Sequence, residues 1–169
     1  ACPNERCRTA LATTYGCGLR LSEVLGLRVD DIDGERRLLR VRQGKGAKDR
    51  LVPVSPTLLE RLRAYWRRYR PRAWLFPGPS GRPLGPTTLQ KAYGAAKARA
   101  GIVKAGGIHG LRHAYATHQL AAGLQVERLQ RLMGHRNIAT TLRYVYWLPS
   151  AREGEGKLDL IAQLGADHV

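Results

Sequence analysis

The sequence predicts a mainly helical fold carrying a small antiparallel β-sheet, an α+β class. Two observations point there. Apolar residues recur at helical spacing along most of the chain, whereas strict alternation is confined to one stretch, 39–54, around a glycine-rich turn. Gly16 and Gly18, the glycines of 44–46, the Pro/Gly-rich 70–85 stretch, the glycines of 101–107 and Gly134 separate the periodic segments.

In chain order, Glu5 to Tyr15 reads as a helix with Cys7, Ala10, Leu11, Thr14 and Tyr15 on one face, broken by Gly16 and Gly18. A second helix is expected near Ser22, a plausible N-cap, with Val24, Leu25 and Leu27. Residues 29–34 read as a connection. Leu39 and Val41 alternate with Arg40 and Arg42, and 50–54 supplies a second strand, which makes a β-hairpin with its loop at Lys45–Lys48. A third strand completing a small sheet is also compatible. Pro56 opens an amphipathic helix with Leu58, Leu59, Leu62, Tyr65, Trp66 and Tyr69 inward and Arg61, Arg63, Arg67, Arg68 and Arg70 outward. Residues 70–85 form a long loop. Helices follow over 86–100 (Leu89, Ala92, Tyr93, Ala96 and Ala100 inward), from His109 to about Ala122, and from Gln125 to Met133, the last ended by Gly134. Residues 140–147 make a further helical turn or two, and a weak helix spans 157–164.

At 169 residues, 43% of them apolar, the chain predicts one domain with a real core and a short tail: 1–149 and 150–169. No 18-residue apolar run and no signal-peptide pattern are present, so the expectation is a cytoplasmic protein without a membrane span. Cys2, Cys7 and Cys17 lack paired metal spacing and read as free or buried thiols. Net charge is +16, which favours a polyanionic partner such as nucleic acid. Residues 150–169 hold four acids and two bases, a net −2, so the basic surface belongs to the body. Of six lysines, Lys45 and Lys48 share one turn.

The residues that carry chemistry stand in five places: Gly18-Leu19-Arg20-Leu21-Ser22-Glu23, Gly44-Lys45-Gly46-Ala47-Lys48-Asp49-Arg50, His109-Gly110-Leu111-Arg112-His113, Leu132-Met133-Gly134-His135 and Thr140-Thr141-Leu142-Arg143-Tyr144. Arginines and histidines can surround the charged oxygens of a phosphoryl-transfer transition state. A tyrosine can be the covalent nucleophile, and a lysine can protonate the leaving oxygen. His109 and Arg112 share a helix face at i, i+3.

In this order and spacing the set resembles the tyrosine recombinase (lambda-integrase-type, or phage integrase) family, from about Ala10 to Trp147, with Met133 where leucine is usual. The resemblance implies the fold of that family's catalytic domain and a DNA-cutting and rejoining enzyme that works through a 3′-phosphotyrosine, with no metal, ATP or other cofactor. It implies Tyr144 as nucleophile, nine residues after His135, in preference to Tyr146. It implies Arg20, His109, Arg112 and His135 as donors to phosphate oxygens; Glu23, three residues after Arg20, reads as a positioning partner or a core-facing salt bridge rather than a direct catalyst. Lys45 is the implied general acid, with Lys48 as its fallback or a phosphate contact. Its partner would be double-stranded DNA, on which the family self-associates, with a monomer expected when free. Arg42, Arg50, Arg67, Arg68, Arg136 and Arg143 are candidate DNA contacts; for the arginine face of the 56–69 helix a solvated surface is an equal alternative. His113 and His118 are expected to be structural. His109 and His113 have metal-ligand spacing, but Arg112 between them would repel a cation. The family's separate helical clamp domain has no counterpart in the 20 residues up to Arg20. Two other functions share these features: a type IB topoisomerase-like relaxing activity, and a non-catalytic DNA-binding module. The tail, with Leu158, Ile161 and Leu164, is expected to dock on protein, either on its own domain or on a neighbouring protomer.

Overall fold

The computed structural model describes residues 4–42 and 49–146. Helix α1 (Glu5–Gly16) starts at Asn4, whose side chain accepts from the Arg6 amide at 2.9 Å. Its buried face carries several threonines. Thr13 and Thr14 donate to the carbonyls of Thr9 and Ala10, both at 2.8 Å, which satisfies their hydroxyls inside the core. Cys17 ends the helix and Gly18 follows at φ 61. A side chain at Gly18 would lie 2.4 Å from the Tyr115 ring, so this reversal needs glycine for space as well as for φ.

Helix α2 (Leu21–Leu25) is capped from Arg20, two residues earlier than the sequence suggests. The Ser22 cap is thereby corrected: Glu23 reaches back to the Arg20 amide at 2.8 Å, and this reach-back sets the start. After a single 3₁₀ turn (Val29–Asp31), three strands form an antiparallel sheet in the order β1 (Ile32–Asp33), β2 (Leu38–Val41), β3 (Arg50–Pro53). Val41 pairs with Arg50 and Leu39 with Val52, so the hairpin register is as expected. Ile32–Asp33, read as connection, is a short edge strand paired with Leu39 and Leu38.

Helix α3 (Pro56–Tyr69) has Ser55 as N-cap, accepting from Leu58 N at 3.2 Å, and proline in its first turn. Leu58, Leu59, Leu62 and Tyr65 are buried, but Trp66 and Tyr69 are 38% and 40% exposed. The 70–85 loop is tied down by main-chain bonds, Leu75 N to Leu27 O and Leu84 N to Phe76 O among them. Helices α4 (Pro86–Arg99), α5 (His109–Ala121), α6 (Val126–Met133) and α7 (Ala139–Val145) complete the described chain. The Lys45–Lys48 turn and the 150–169 tail lie outside the described residues.

Two apolar clusters result. The larger gathers Cys7, Ala10, Leu19, Leu39, Leu62, Phe76 and Leu89, among others, from α1 to α4 and the sheet. The smaller holds Tyr115, Ala116, Leu120, Leu129, Met133 and Tyr144, from α5, α6 and α7. None of the described helices is long and apolar enough to cross a membrane.

Candidate active site

Arg20 leaves the α1–α2 turn, and its guanidinium donates to Glu23 Oε1 at 2.8 Å. Glu23 is nearly buried and also receives both terminal nitrogens of Arg50, at 2.9 and 2.8 Å, a bidentate pair. The Arg50 Nε donates to the Leu132 carbonyl at 2.7 Å. This corrects Arg50 as a DNA contact. It is only 8% exposed, and every one of its nitrogens already has a protein partner. The signal lay in the strand's alternation: Val52 and Val54 face the core, so Arg50 faces it too, while Leu51 points out.

Arg112 rises from the first turn of α5 and is 1% exposed. It donates to Gly18 O and Met133 O, both at 2.6 Å, and stands 3.0 Å from His135 Nε2. Both carbonyls belong to turns made by glycine. Gly134 ends α6 at φ 63, and the His135 amide reaches back to Gln130 O at 3.1 Å, a bond pattern that fixes the residue after the helix. The other ring nitrogen of His135 lies 2.9 Å from Thr141 Oγ1.

Arg20, His109, Arg112, His113, His135, Thr140, Arg143 and Tyr144 line one cavity of about 360 Å³. Tyr144 is 5% exposed and its ring stacks on His135 at 6.2 Å, whereas Tyr146 is 84% exposed. His113, expected to be structural, stands in the cavity wall, 4.6 Å from the His109 ring and 5.5 Å from that of Tyr144. His118 instead bonds the Tyr15 hydroxyl at 2.8 Å. The amides of Gly110 and Leu111 are already bonded to Gly107 O and Ile108 O, so the first turn of α5 offers few free donors to an anion.

Charge in the cavity is strongly polarised. Burial alone would raise the Glu23 carboxyl, but hydrogen bonds from Arg50 and Arg20 outweigh it and hold the group at about 2. Burial, then the positive charges of Arg20 and Arg50, bring Arg112 down to about 10, so it stays charged at neutral pH. Burial followed by Arg112, Arg20, Arg50 and Arg143 pushes His135 down to about 4, leaving it neutral. His109 shifts down through burial, His113 and nearby arginines. Burial raises Tyr144, while Arg112, Arg143 and Arg20 act in the opposite sense. A cavity with this ring of cations suits an anion and disfavours a metal ion. No group of three or more His, Cys, Asp or Glu side chains is placed to share one among the described residues.

The other candidate arginines are dispersed. Arg42 pairs with Asp31 at 2.7 Å and Asp30 at 3.1 Å. Arg67 lines a separate, apolar cavity with Val29, Ile32, Leu59, Trp66 and Leu75. Arg68 lies over the Tyr69 ring at 5.6 Å, and Arg136 is exposed just after His135.

A sequence profile of the phage integrase family matches residues 1–149, and the chain belongs to that family. Tyrosine recombinase XerC 2 of Ralstonia nicotianae is 43% identical over 147 residues, covering 83% of this chain and 42% of the relative. Tyrosine recombinase XerA of Thermococcus onnurineus is 41% identical over 147 residues, covering 83% and 50%. The chain thus spans about half the length of the curated relatives it matches. In structure it resembles a crystal structure of XerA recombinase, with a TM-score of 0.76 at 25% identity over 98% of this chain and 57% of that one. It also resembles XerH site-specific recombinase bound to difH substrate in a pre-cleavage complex, with a TM-score of 0.76 at 25% identity over 83% and 42%.

Proposed function

We propose that this chain is the DNA-cleaving and rejoining domain of a site-specific recombinase or integrase acting on double-stranded DNA. The observation that carries the reading is Tyr144: it lines the same cavity as Arg20, His109, Arg112 and His135, while its neighbour Tyr146 is turned to solvent. The Tyr144 oxygen attacks a backbone phosphorus, and the 5′ oxygen leaves with a proton. The products are a 3′-phosphotyrosine and a free 5′ hydroxyl, and the reverse attack by a 5′ hydroxyl restores the strand. The bond energy stays in the phosphotyrosine, so rejoining needs no ATP. Arg112 and Arg20 stabilise the charge that builds on the nonbridging oxygens, and His109 and His135 add donors. Glu23 orders the two arginines. Lys45 supplies the proton to the 5′ oxygen; in sequence it falls between Val41 and Arg50, which pair across β2 and β3, and Arg50 is bonded into the site. Lys48 is the alternative.

The test is covalent capture on a nicked suicide duplex library with a randomised core. Tyr144→Phe should abolish the protein–DNA adduct and keep DNA binding, and Tyr146→Phe should retain the adduct. Exchanged outcomes would move the nucleophile to Tyr146. Failure of the unsubstituted chain to form any adduct would favour a DNA-binding module. A sulfur in place of the bridging 5′ oxygen should rescue Lys45→Ala selectively, because a thiolate leaves without protonation. Rescue of Lys48→Ala instead would transfer the role. The chain is monomeric when free and assembles on DNA through residues 150–169. Their deletion should weaken complexes on two-site DNA in native electrophoresis while single-site binding persists.

A further inference from the structure

We propose that Thr141 is a positioning residue whose hydroxyl lets a neutral His135 exchange ring tautomers, so that Nε2 changes from acceptor to donor when a phosphodiester enters. This rests on the reading of the cavity as a phosphodiester site.

The hydrogen-bond geometry around His135 carries the argument. A guanidinium nitrogen is an obligate donor, and Arg112 Nη2 stands 3.0 Å from Nε2. Nε2 must therefore present its lone pair in the ligand-free protein. The ring proton is then on Nδ1, 2.9 Å from Thr141 Oγ1, which accepts it. In this state His135 cannot give a hydrogen bond to a phosphate oxygen. A nonbridging oxygen is an acceptor only, and it would meet a lone pair at Nε2.

Two changes could reverse that polarity. Protonation to imidazolium is opposed first by burial and then by Arg112, Arg20, Arg50 and Arg143, which all act on the ring. Tautomer exchange adds no charge. The Nδ1 proton passes to solvent, a proton from solvent arrives at Nε2, and the count is unchanged. It requires the group facing Nδ1 to turn from acceptor to donor, and a hydroxyl does this by rotating its hydrogen. Thr141 is fully buried on α7, three residues before Tyr144 and so on the same helix face. The hydroxyl that serves His135 is therefore mounted on the helix that carries Tyr144. When phosphate enters, Arg112 Nη2 redirects its hydrogen bond from Nε2 to an oxygen, and Nε2–H points to the same group.

The measurement is long-range ¹H–¹⁵N correlation on histidine-labelled protein, with His135 assigned by His135→Gln. The free protein should show Nδ1 protonated and Nε2 bare. Titration with sulfate, an acceptor-only anion, should move the proton to Nε2. A bare Nδ1 in the free protein, or an Nε2 that stays bare at saturating sulfate, would overturn the proposal. Thr141→Val, which keeps the shape and removes the hydroxyl, should slow adduct formation by between about tenfold and the ~10²-fold typical of losing a direct donor, with DNA binding kept. Thr141→Ser should behave as the unsubstituted chain in both assays. Should Thr141→Val not fold, the spectra of the unsubstituted and Thr141→Ser chains still decide. Equal losses in the two variants would make Thr141 a packing residue only. The tautomer readout needs no cleavage, so an inactive chain with the expected spectra would count against the recombinase reading and not against this one.

Discussion

The two apolar cores differ in what they carry. The larger one, from α1 to α4 and the sheet, anchors Arg20, Glu23 and Arg50, which are bound to one another and, through Leu132 O and Gly134 O, to the end of α6. The smaller one seats Tyr144, the proposed nucleophile. It consists of a few side chains from short helices, and α7 is seven residues long with Leu142, Val145 and Tyr146 exposed. Local stability follows buried apolar contact, so the half on the larger core is expected to be the more protected and the half that holds Tyr144 the more easily opened. In the proposed reaction, Arg20 on the larger core would stay organised before charge develops, whereas Tyr144 would need freedom to reach phosphorus and to withdraw. Arg112 and His135 join the halves.

The largest expected effect probes the half on the larger core. Glu23→Gln removes the counter-charge of the buried Arg50 and should cost ~3–5 kcal/mol in urea unfolding. Adding Arg50→Met should recover part of that loss, and purely additive losses would mean the pair is not a unit. Next, Leu39→Ala and Leu129→Ala should each cost about 2–5 kcal/mol. Hydrogen exchange separates them: Leu129→Ala should accelerate amides in α5 to α7 while α1 and β2 stay protected. Uniform acceleration would make the two cores one cooperative body and break the comparison.

Arg20→Ala and Arg112→Ala sharpen the contrast at the junction. Each should slow adduct formation by ~10²-fold or more, equivalent to about 2.7 kcal/mol. The Arg20 side chain is 40% exposed, so its loss should leave the melting temperature nearly unchanged. Arg112→Ala should lower it, because Gly18 O and Met133 O lose their donor.

The most gradual effect is the pH dependence of stability. His135 has its folded value depressed from 6.5 to about 4, so the unfolded chain takes up a proton first, and stability falls as pH drops from 6.5 toward 4. Glu23, depressed from 4.5 to about 2, adds a further loss as pH falls from 4.5 toward 2. Urea midpoints measured from neutral to acid pH should show two stages; His135→Gln should shrink the first, to which His109 and His113 also contribute, and leave the second.

Much of the fold was legible because local signals agreed with the tertiary outcome. Pro56 and Ser55 mark the start of α3, Gly134 marks the end of α6, and the alternation of Leu39, Val41 and Val52 sets the hairpin. The misreadings at Ser22 and Arg50 share one cause. Ser22 was the better cap by residue type, but Glu23 also satisfies Arg20 and Arg50, and that shared carboxylate places the start at Arg20. Trp66 and Tyr69 were read as inward by periodicity, yet each is more than a third exposed. Arg50 looked like surface charge because its carboxylate partner is 27 residues away in sequence.

The sequence by itself determined the element order, the helical class, the basic body and most of the residues that meet in the cavity (Arg20, His109, Arg112, His135, Arg143 and Tyr144), since these depend on periodicity, turn chemistry and spacing. Only the tertiary structure decided their states. It buried Arg112 against two turn carbonyls, turned Tyr144 inward and Tyr146 outward, brought His113 into the wall, and set Thr141 against His135. The reason is physical: burial, hydrogen-bond polarity and the fields of neighbouring charges depend on distances in space, and residues far apart in sequence supply them.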